Sequence, residues 1–393
     1  MHRFLQPDAI FINGKLTRNC VAVLDGIGGL CIEEASQVKP EKIERFENEC
    51  WTEAPILAHA HLESYDAPSA EWPRKSFSEW VGSLLEWRAS TNRLSPEESA
   101  SASLEELRNY GCGGVLSHVS EVSARSSLHE ECKALPMLWA LSEVFEPTGK
   151  LSSDKMAELQ TNPAVALHSP FGVSLEVASS LFSSHDLVSI HLGEHQEERE
   201  FLAHASGPLA ALFEERSRML PPQRFTSPVD WLEAAGGLRE GVLAVHASEL
   251  KKGELNRLLG AGVKVVWCPG THNYFERPEP IFSLVMKEPP LLGCDSRASN
   301  ESLDPMREFR LACSECPGFS PLEWWKSLTT RAQGTLDPQR KAHLPLLRWE
   351  LGDTELSPTG TGFCEWLAGH ASECTCSCSH FGKGRLWFGW SFP

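Results

Sequence analysis

The chain has 393 residues, of which 41% are hydrophobic and 23% are charged. These proportions are typical of a globular protein with a sizeable core, and the length suits a barrel of about 250 residues plus a smaller unit. The formal net charge of −17 disfavours binding to nucleic acid or to anionic lipid, because both carry negative charge themselves. No apolar run reaches the ~20 residues of a membrane span, so no membrane association is expected.

The opening residues, MHRFLQPDAIFING, contain neither the apolar segment nor the small-residue cleavage site of a signal peptide. Most of the 13 cysteines stand singly inside apolar runs, which is typical of reduced, buried thiols. A cytoplasmic protein is therefore expected.

Residues 1–53 contain short β-type runs broken by Gly and Asp-Gly, which predict a small antiparallel unit. From Pro55 onward, short apolar runs alternate with segments of helical spacing, and this alternation predicts parallel strands joined by helices. Eight runs have this character, the number of strands in a (β/α)8 barrel: ILAHAHL, GGVLSHVS, PMLWALSEVF, AVALHS, LVSIHLG, GVLAVHAS, VKVVWCP and LLGCDS. The predicted fold is α/β, a TIM-like (β/α)8 barrel over 54–333 with a small β-sandwich-like unit from 1–53 and part of 334–352.

The connecting segments carry helix signals of their own. In SFSEWVGSLLEWR the apolar residues share one face, and in SPEESASASLEELRNYG residues Ser95 and Glu98 form a capping box at the start. The segment 195–240 is long for one crossover, and it predicts two helices and a loop over the barrel mouth.

Several predicted strands end in residues that bind metals. The first ends in His59 and His61, the fifth in His191 and the eighth in Asp295. Side chains alternate along a strand, so His59 and His61 point to the same side, and the C-terminal ends of barrel strands meet at one face. Imidazole nitrogens and a carboxylate oxygen are ligands of zinc-type or iron-type ions. The sequence therefore predicts one divalent metal, zinc or iron, held by these four residues.

Two other histidines also stand at the ends of predicted strands. His168 ends the fourth predicted strand and His246 ends the sixth. His118 and His185 are interpreted as hydrogen-bonded core residues, since a lone histidine in an apolar segment usually is one.

Six segments match motifs of one enzyme superfamily: ILAHAHLES, LHSPFGVS, IHLGEHQEE, LAVHAS, VVWCPGTHNYF and LLGCDSRASNESLD. On these motifs the chain resembles the amidohydrolase superfamily, and within it the nucleoside and nucleobase deaminases with their chlorohydrolase relatives. The similarity runs from about Phe4 to His343. A finer resemblance, based on SFSEWVGSLLEWR and CPGTHNYF, is to the aminofutalosine deaminases of the menaquinone pathway.

The resemblance implies a metal-dependent hydrolase that acts on C–N bonds other than peptide bonds and releases ammonia from an aminated purine nucleoside. It implies that Asp295 accepts a proton from the attacking water, that Glu194 carries a proton to a ring nitrogen, and that His246 polarises the reacting centre. Glu197 and Glu198 are interpreted as surface helix acids. Three further residues are expected to contact the small-molecule substrate: Glu63, His168 and His272.

Three positions depart from the family pattern. Ala58 replaces an Asn before the first histidine, Gly270 replaces the usual Arg after Cys-Pro, and the late turn reads Pro338–Leu344 without its Pro-Gly. The end of the fourth strand lacks the bridging Lys of binuclear relatives, so a single metal is expected.

Alternative functions stay open on the same fold. One group is deamination of S-adenosylhomocysteine, adenosine or guanine; another is chlorohydrolysis or cyclic-amide hydrolysis; a third is an inactive homologue that acts as a binding protein. A homodimer is a further hypothesis. Residues 353–393 are predicted to form an irregular tail, for which disorder is the hypothesis. Its Cys374, Cys376, Cys378 and His380 lack the Cys-x2-Cys spacing of structural zinc sites.

Overall fold

A computed structural model describes residues 3–24, 30–130, 137–147, 149, 151–338, 346–350, 364–365 and 367–368. Within these residues the strands are β1 (Arg3–Ile12), β2 (Lys15–Arg18), β3 (Cys20–Leu24), β4 (Leu30–Glu34), β5 (Ile43–Glu53), β6 (Ile56–Ala60), β7 (Gly114–Val119), β8 (Met137–Val144), β9 (Ala164–Leu167), β10 (Leu187–Leu192), β11 (Val242–His246), β12 (Lys264–Trp267), β13 (Leu291–Leu292) and β14 (Leu346–Glu350).

The α-helices of the described residues are α1 (Phe77–Ala89), α2 (Pro96–Asn109), α3 (Val122–Glu130), α4 (Ser153–Gln160), α5 (Leu175–Ser184), α6 (Gln196–His204), α7 (Pro208–Glu215), α8 (Pro228–Ala234), α9 (Lys252–Gly260), α10 (Pro269–Tyr274), α11 (Phe282–Val285), α12 (Pro305–Glu315), α13 (Pro321–Leu328) and α14 (Thr330–Leu336). Short 3-10 helices cover Ala35–Gln37, Pro40–Lys42, Leu62–Ser64 and Ser69–Glu71.

The N-terminal strands form a six-stranded sheet with the order β14-β5-β1-β3-β4, in which β2 pairs with β1. All its pairs are antiparallel except β1 with β5, which run parallel. The prediction of a wholly antiparallel unit is therefore wrong at this pair. The connection from β4 to β5 contains two 3-10 helices and is not a hairpin, so β5 can return beside β1 in the same direction.

The eight strands from β6 to β13 form one parallel sheet in sequential order. A parallel bridge between Ala60 and Asp295 joins the first strand to the segment after the last. The amide of His61 donates to the Asp295 carbonyl at 2.8 Å, and the amide of Cys294 donates to the His59 carbonyl at 3.0 Å. The predicted (β/α)8 barrel is thereby confirmed, and each of the eight predicted runs contains one of its strands.

Apolar side chains fill the interior of the barrel below the predicted site. The cluster includes Ile56, Ala58, Leu116, Met137, Leu141, Ala166, Leu243, Val245, Val266, Cys268 and Leu291. Because this layer is closed by side chains, polar groups of the interior are concentrated at the C-terminal ends of the strands.

The helices surround the barrel, and their starts follow the sequence signals. The capping box of Ser95 and Glu98 is present at the start of α2. The segment 195–240 contains three helices, α6, α7 and α8, so the prediction of two is wrong. The third begins because the Ser227 side chain accepts from the Asp230 amide and Pro228 occupies the first turn.

Two sequence predictions lie largely or wholly outside the described residues. The irregular tail 353–393 is described only at 364–365 and 367–368, and the altered late turn only at its first residue, Pro338. Across the described part of the chain, every helix is too short or too polar to cross a membrane.

Candidate active site

The four predicted metal ligands converge at the C-terminal mouth of the barrel. Nε2 of His61 and Nε2 of His191 lie 3.0 Å apart, and Nε2 of His191 lies 3.3 Å from Nε2 of His59. Oδ1 of Asp295 lies 3.7 Å from Nε2 of His59 and 3.8 Å from Nε2 of His61. Ligands at about 2.1 Å from one tetrahedral ion are separated by about 3.4 Å. The donor atoms and their spacing therefore fit a single divalent ion.

Backbone irregularities direct these side chains inward. Ile56 and Ala58 already face the apolar interior, so regular alternation would point His59 outward. The pairing of β6 with β7 shifts register between Leu57 and Ala60, as in a β-bulge, and this shift changes the phase of the strand. Asp295, three residues after the end of β13, has a φ of 57°.

Surrounding hydrogen bonds fix the orientation of two ligands. Nδ1 of His191 donates to the carbonyl of His168 at 2.5 Å, which leaves Nε2 free to bind a metal. Oδ2 of Asp295 accepts from the hydroxyls of Thr271 at 3.0 Å and Ser299 at 2.7 Å. Its Oδ1 is thereby left facing the imidazoles.

Burial sets the protonation states of these groups. Burial lowers the pKa of His59 and His61 well below the usual value of 6.5, so both rings are neutral, the form that binds metals. Burial opposes ionisation of Asp295, but His246, His61 and the other polar neighbours outweigh it and lower its pKa. The site thus combines neutral imidazoles with an ionised carboxylate.

His118 lies in the same cluster, since one ligand atom each from His59, His61, His118 and His191 all lie within 4.8 Å of one another. Nδ1 of His118 donates to Glu143 at 3.2 Å, and Nε2 accepts from the Ser189 hydroxyl at 2.7 Å. Both ring nitrogens are therefore engaged, in keeping with the interpretation of His118 as a hydrogen-bonded core residue.

Glu194 and His246 lie beside the predicted ligands. Oε2 of Glu194 is 3.8 Å from Nε2 of His246, and the His246 ring stacks on the His191 ring with centroids 5.5 Å apart. His246 has a φ of 71°, which breaks the alternation of β11. Burial raises the pKa of Glu194 to about 7 against the opposing effects of Arg277 and His191, and burial lowers the pKa of His246 well below 6.5. Glu194 can therefore hold a proton at neutral pH while His246 is neutral.

Of the two acids that follow Glu194, Glu198 is buried and Glu197 is half-buried, so their interpretation as surface residues is wrong. Glu197 accepts from the amides of Phe77 at 3.0 Å and Ser78 at 3.1 Å, and so caps the start of α1. Glu198 is 1% exposed and accepts from the amide of Glu194 at 3.1 Å.

The predicted substrate contacts occupy different environments. Both carboxylate oxygens of Glu63 accept backbone amides, from Glu121 at 2.8 Å and Ser120 at 2.9 Å, at the start of α3. Nε2 of His272 donates to the Pro278 carbonyl at 2.9 Å. His168 stands between the rings of Phe145 and Phe171 and lies 5.5 Å from the His191 ring. Among the three, His168 is the one placed directly beside the predicted metal ligands.

Sequence reasoning missed two charged residues of the site. Glu143 on β8 is 3.9 Å from Nδ1 of His191, and Arg277 is 3.9 Å from Glu194. A signal for Glu143 existed, because it is a lone carboxylate that alternates with the interior residues Trp139 and Leu141. Arg277 follows α10 in a loop, where no periodic pattern indicates the direction of a side chain.

The departure at Gly270 has a structural explanation. A Cβ atom at Gly270 would lie 2.3 Å from the Asn300 amide group. Asn300 in turn donates to Glu308 at 2.7 Å, and Glu308 accepts from the Gly270 amide at 2.8 Å. The Asn300–Glu308 pair thus fills the space that a side chain at 270 would need.

A closed parallel barrel with histidines and a carboxylate at the C-terminal ends of its first, fifth and eighth strands defines a class of protein by its architecture: a (β/α)8 barrel with a cluster of metal-binding side chains at its C-terminal mouth. No protein-family model matches the chain.

Curated relatives in sequence are deaminases. The chain is 26% identical over 298 residues to aminodeoxyfutalosine deaminase of Deinococcus radiodurans, which is 68% of each chain. It is 29% identical over 179 residues to 5-methylthioadenosine/S-adenosylhomocysteine deaminase of Pyrococcus abyssi, covering 43% of this chain and 36% of that protein.

Solved structures share the fold over nearly the whole chain. Aminofutalosine deaminase of Helicobacter pylori, in complex with methylthio-coformycin, matches with a TM-score of 0.71 and 18% identity over 93% of this chain and 96% of that one. A mutant atrazine chlorohydrolase of Arthrobacter aurescens, complexed with zinc and atraton, matches with a TM-score of 0.71 and 15% identity over 93% and 91%. The comparisons confirm the resemblance to the deaminase and chlorohydrolase group, and with it the predicted hydrolase class.

Proposed function

We propose that the chain is a metal-dependent deaminase of aminated purine nucleosides, with aminofutalosine as its first candidate substrate. The observation that carries the proposal is the meeting of four metal-binding side chains, His59, His61, His191 and Asp295, beside a carboxyl group at Glu194 that can hold a proton near pH 7. A metal ion held by these side chains would activate water as the nucleophile. Glu194 would supply a proton, which the amino group needs in order to leave the ring carbon as ammonia.

The donor set fits one zinc or iron ion. Three imidazole nitrogens and one carboxylate oxygen suit both ions, and the zinc-bound chlorohydrolase among the structural neighbours favours zinc. When bound, such an ion lowers the pKa of water so that hydroxide is available near neutral pH.

The side chains of this site would divide the proton transfers. Ionised Asp295 accepts the proton of the attacking water, and the hydroxyls of Thr271 and Ser299 hold its second oxygen in place. Protonated Glu194 donates to a ring nitrogen of the substrate. Neutral His246, 3.8 Å from Glu194, can donate a hydrogen bond to the oxygen that develops negative charge.

Two relatives direct the choice of substrate. The aminodeoxyfutalosine deaminase aligns with the larger share of this chain, which supports aminofutalosine and a place in menaquinone biosynthesis. The 5-methylthioadenosine/S-adenosylhomocysteine deaminase supports the same reaction on a different nucleoside. Glu194 favours deamination over chlorohydrolysis or an inactive binding protein, because an amino group needs a proton to leave as ammonia whereas chloride leaves as an anion without one.

The partners, cellular location and oligomeric state of the protein are also part of the proposal. A small-molecule substrate, no nucleic-acid or membrane partner, a cytoplasmic location and a homodimer stay predictions from the sequence. The fold and the acidic charge are compatible with each of them.

Ammonia release tests the proposal. Metal-replete protein is assayed with aminofutalosine, S-adenosylhomocysteine, guanine and a chlorotriazine, the last by chloride release. We expect ammonia from aminofutalosine or S-adenosylhomocysteine, and a loss of 10²-fold to 10⁴-fold, as an order of magnitude, in Glu194→Gln. Glu200→Gln, an exposed acid on the same helix α6, is the matched control. Unchanged rates in Glu194→Gln, or no ammonia from any nucleoside, would contradict the proposal.

A further inference from the structure

A buried arginine beside the candidate active site has no hydrogen-bond partner among the described residues. The side chain of Arg277 is 3% exposed. Its Nε, Nη1 and Nη2 are all buried and all lack a partner. A guanidinium carries five N–H donors, and leaving them unmet in the interior is strongly unfavourable. Among the described residues the arrangement is therefore incomplete, and an acceptor on a bound ligand would complete it.

The guanidinium of Arg277 points into the site. Its charged neighbour is Glu194, whose Oε1 lies 3.9 Å from Nη2, too far for a hydrogen bond. The guanidinium carbon lies 4.9 Å from the centre of the Phe275 ring. Burial lowers the pKa of His195, His246 and His272, and the positive charge of Arg277 adds to this effect.

Another arginine near the barrel mouth shows what a structural pairing looks like in this protein. Arg199 donates to both oxygens of Glu254 at 2.8 and 2.7 Å, in the bidentate geometry that guanidinium and carboxylate prefer. Glu194 does not pair with Arg277 in this way, since it is too distant and its raised pKa favours the neutral acid. The orphaned donors of Arg277 are thus available to a ligand.

We infer that Arg277 is a substrate-binding residue that donates to the N7 atom of the purine ring; this rests on the proposed function. Guanidinium groups readily donate to purine N7. In an aminated purine, N1 is bonded to the reacting carbon C6, and N7 is bonded to the neighbouring ring carbon C5, on the other side of the leaving amino group. If Glu194 serves N1, its neighbour Arg277 is placed to serve N7. Arg277 then selects rings with an acceptor at that position.

Nucleoside analogues that replace single ring nitrogens by CH test this inference. The rates of ammonia release from a purine nucleoside, its 7-deaza analogue and its 3-deaza analogue are compared in wild type, Arg277→Met and Arg277→Lys. The 7-deaza ring also differs electronically, so the decisive quantity is how a variant changes the ratio between substrates. Binding is measured in parallel by calorimetry on the Glu194→Gln protein, with and without Arg277→Met.

We expect Arg277→Met to lower kcat/KM for the purine and 3-deaza nucleosides at least tenfold and to leave the 7-deaza nucleoside nearly unchanged. The dissociation constants should follow the same pattern. Arg277→Lys keeps the positive charge but loses the planar guanidinium with its several donors. It should lower the ratio of kcat/KM for the purine nucleoside to that for the 7-deaza nucleoside at least threefold. If Arg277→Met does not fold or bind metal, this second variant decides.

The matched control is Arg331→Met, because Arg331 donates to the Pro289 carbonyl at 2.7 Å at the opposite end of the barrel. It should leave all substrate ratios unchanged. An equal loss on purine and 7-deaza nucleosides in Arg277→Met would overturn the inference and leave the proposed function intact. A wild-type protein that neither binds nor deaminates any purine nucleoside would overturn both.

Discussion

Glu194 is positioned by a second carboxyl group, that of Glu198. The Glu198 side chain accepts the Glu194 amide at 3.1 Å and is 1% exposed. Burial raises the pKa of Glu198 to about 8, with Glu194 adding to the effect, so the group is neutral at pH 7. A neutral acceptor close to Glu194 fixes its backbone without adding a negative charge to the site.

This arrangement predicts different outcomes for two substitutions at Glu198. Glu198→Gln keeps a neutral side chain of the same shape with an acceptor oxygen, so kcat should stay within about threefold of wild type. Glu198→Ala removes the acceptor and should lower kcat about tenfold, which corresponds to one lost hydrogen bond of about 1.4 kcal/mol. Steady-state ammonia release measures both. Equal activity in the two variants would exclude a positioning role for Glu198.

At the level of single residues, the metal-binding side chains could be predicted from the sequence, whereas the charged neighbour Arg277 could not. His59, His61, His191 and Asp295 could be predicted because each ends an apolar run, and barrel topology brings such ends together. Arg277 could not, because long-range packing sets its direction in a loop.

At the level of elements, the contact between β6 and β13 controls the shape of the site. It carries His59 on one side and leads to Asp295 on the other, and the two segments share the closing hydrogen bonds of the barrel. Gly293 lies at their closest approach. A Cβ atom there would lie 2.8 Å from Cβ of His59 and 2.9 Å from its carbonyl oxygen.

Gly293→Ala should therefore push β6 and β13 apart where they close the barrel. We expect a loss of about 1–3 kcal/mol in the free energy of unfolding, as for overpacked cores, and weaker metal binding because His59 must shift. Gly253→Ala is the control, since nothing lies within 4 Å of its Cβ position in α9; removing a helical glycine should stabilise by about 0.5–1 kcal/mol. Denaturant titration measures both, and equal stability of the two variants would refute the close contact.

Element positions were predictable where local signals determine them. The eight barrel strands follow from apolar runs and α2 from its capping box. The parallel pairing of β1 with β5 and the register shift in β6 were not predictable, because each depends on segments distant in sequence or on a neighbouring strand. The third helix of 195–240 was predictable from Ser227-Pro228, a helix-start signal that is a better guide to the number of helices than the length of the segment.

At the level of the whole molecule, a buried acid at the junction between the smaller sheet and the barrel couples stability to pH. Glu53, at the end of β5, is 3% exposed and accepts the Asn13 amide at 2.7 Å. Burial raises its pKa from 4.5 to about 7. The folded state therefore retains a proton that the unfolded state loses, and this contribution to stability disappears as the pH rises from about 4.5 through 7.

Glu53→Gln should reduce the alkaline loss of stability. The substitution removes the ionisation and keeps an acceptor for Asn13, so the drop in the free energy of unfolding between pH 5 and pH 8 should shrink by about 2–3 kcal/mol. Glu47→Gln, at an exposed position of the same strand, is the control and should leave the drop unchanged. The same slope in both variants and in wild type would contradict the assignment.

The most direct test of the account is the metal content of the purified chain and its variants after dialysis, measured by mass spectrometry. We predict about one zinc or iron ion per chain in wild type and in His118→Asn, whose ring nitrogens are engaged elsewhere. We predict a fall to trace levels in His61→Asn, His191→Asn and Asp295→Asn. Equal metal content in all five proteins, or none in reconstituted wild type, would contradict the central claim that these side chains hold one ion.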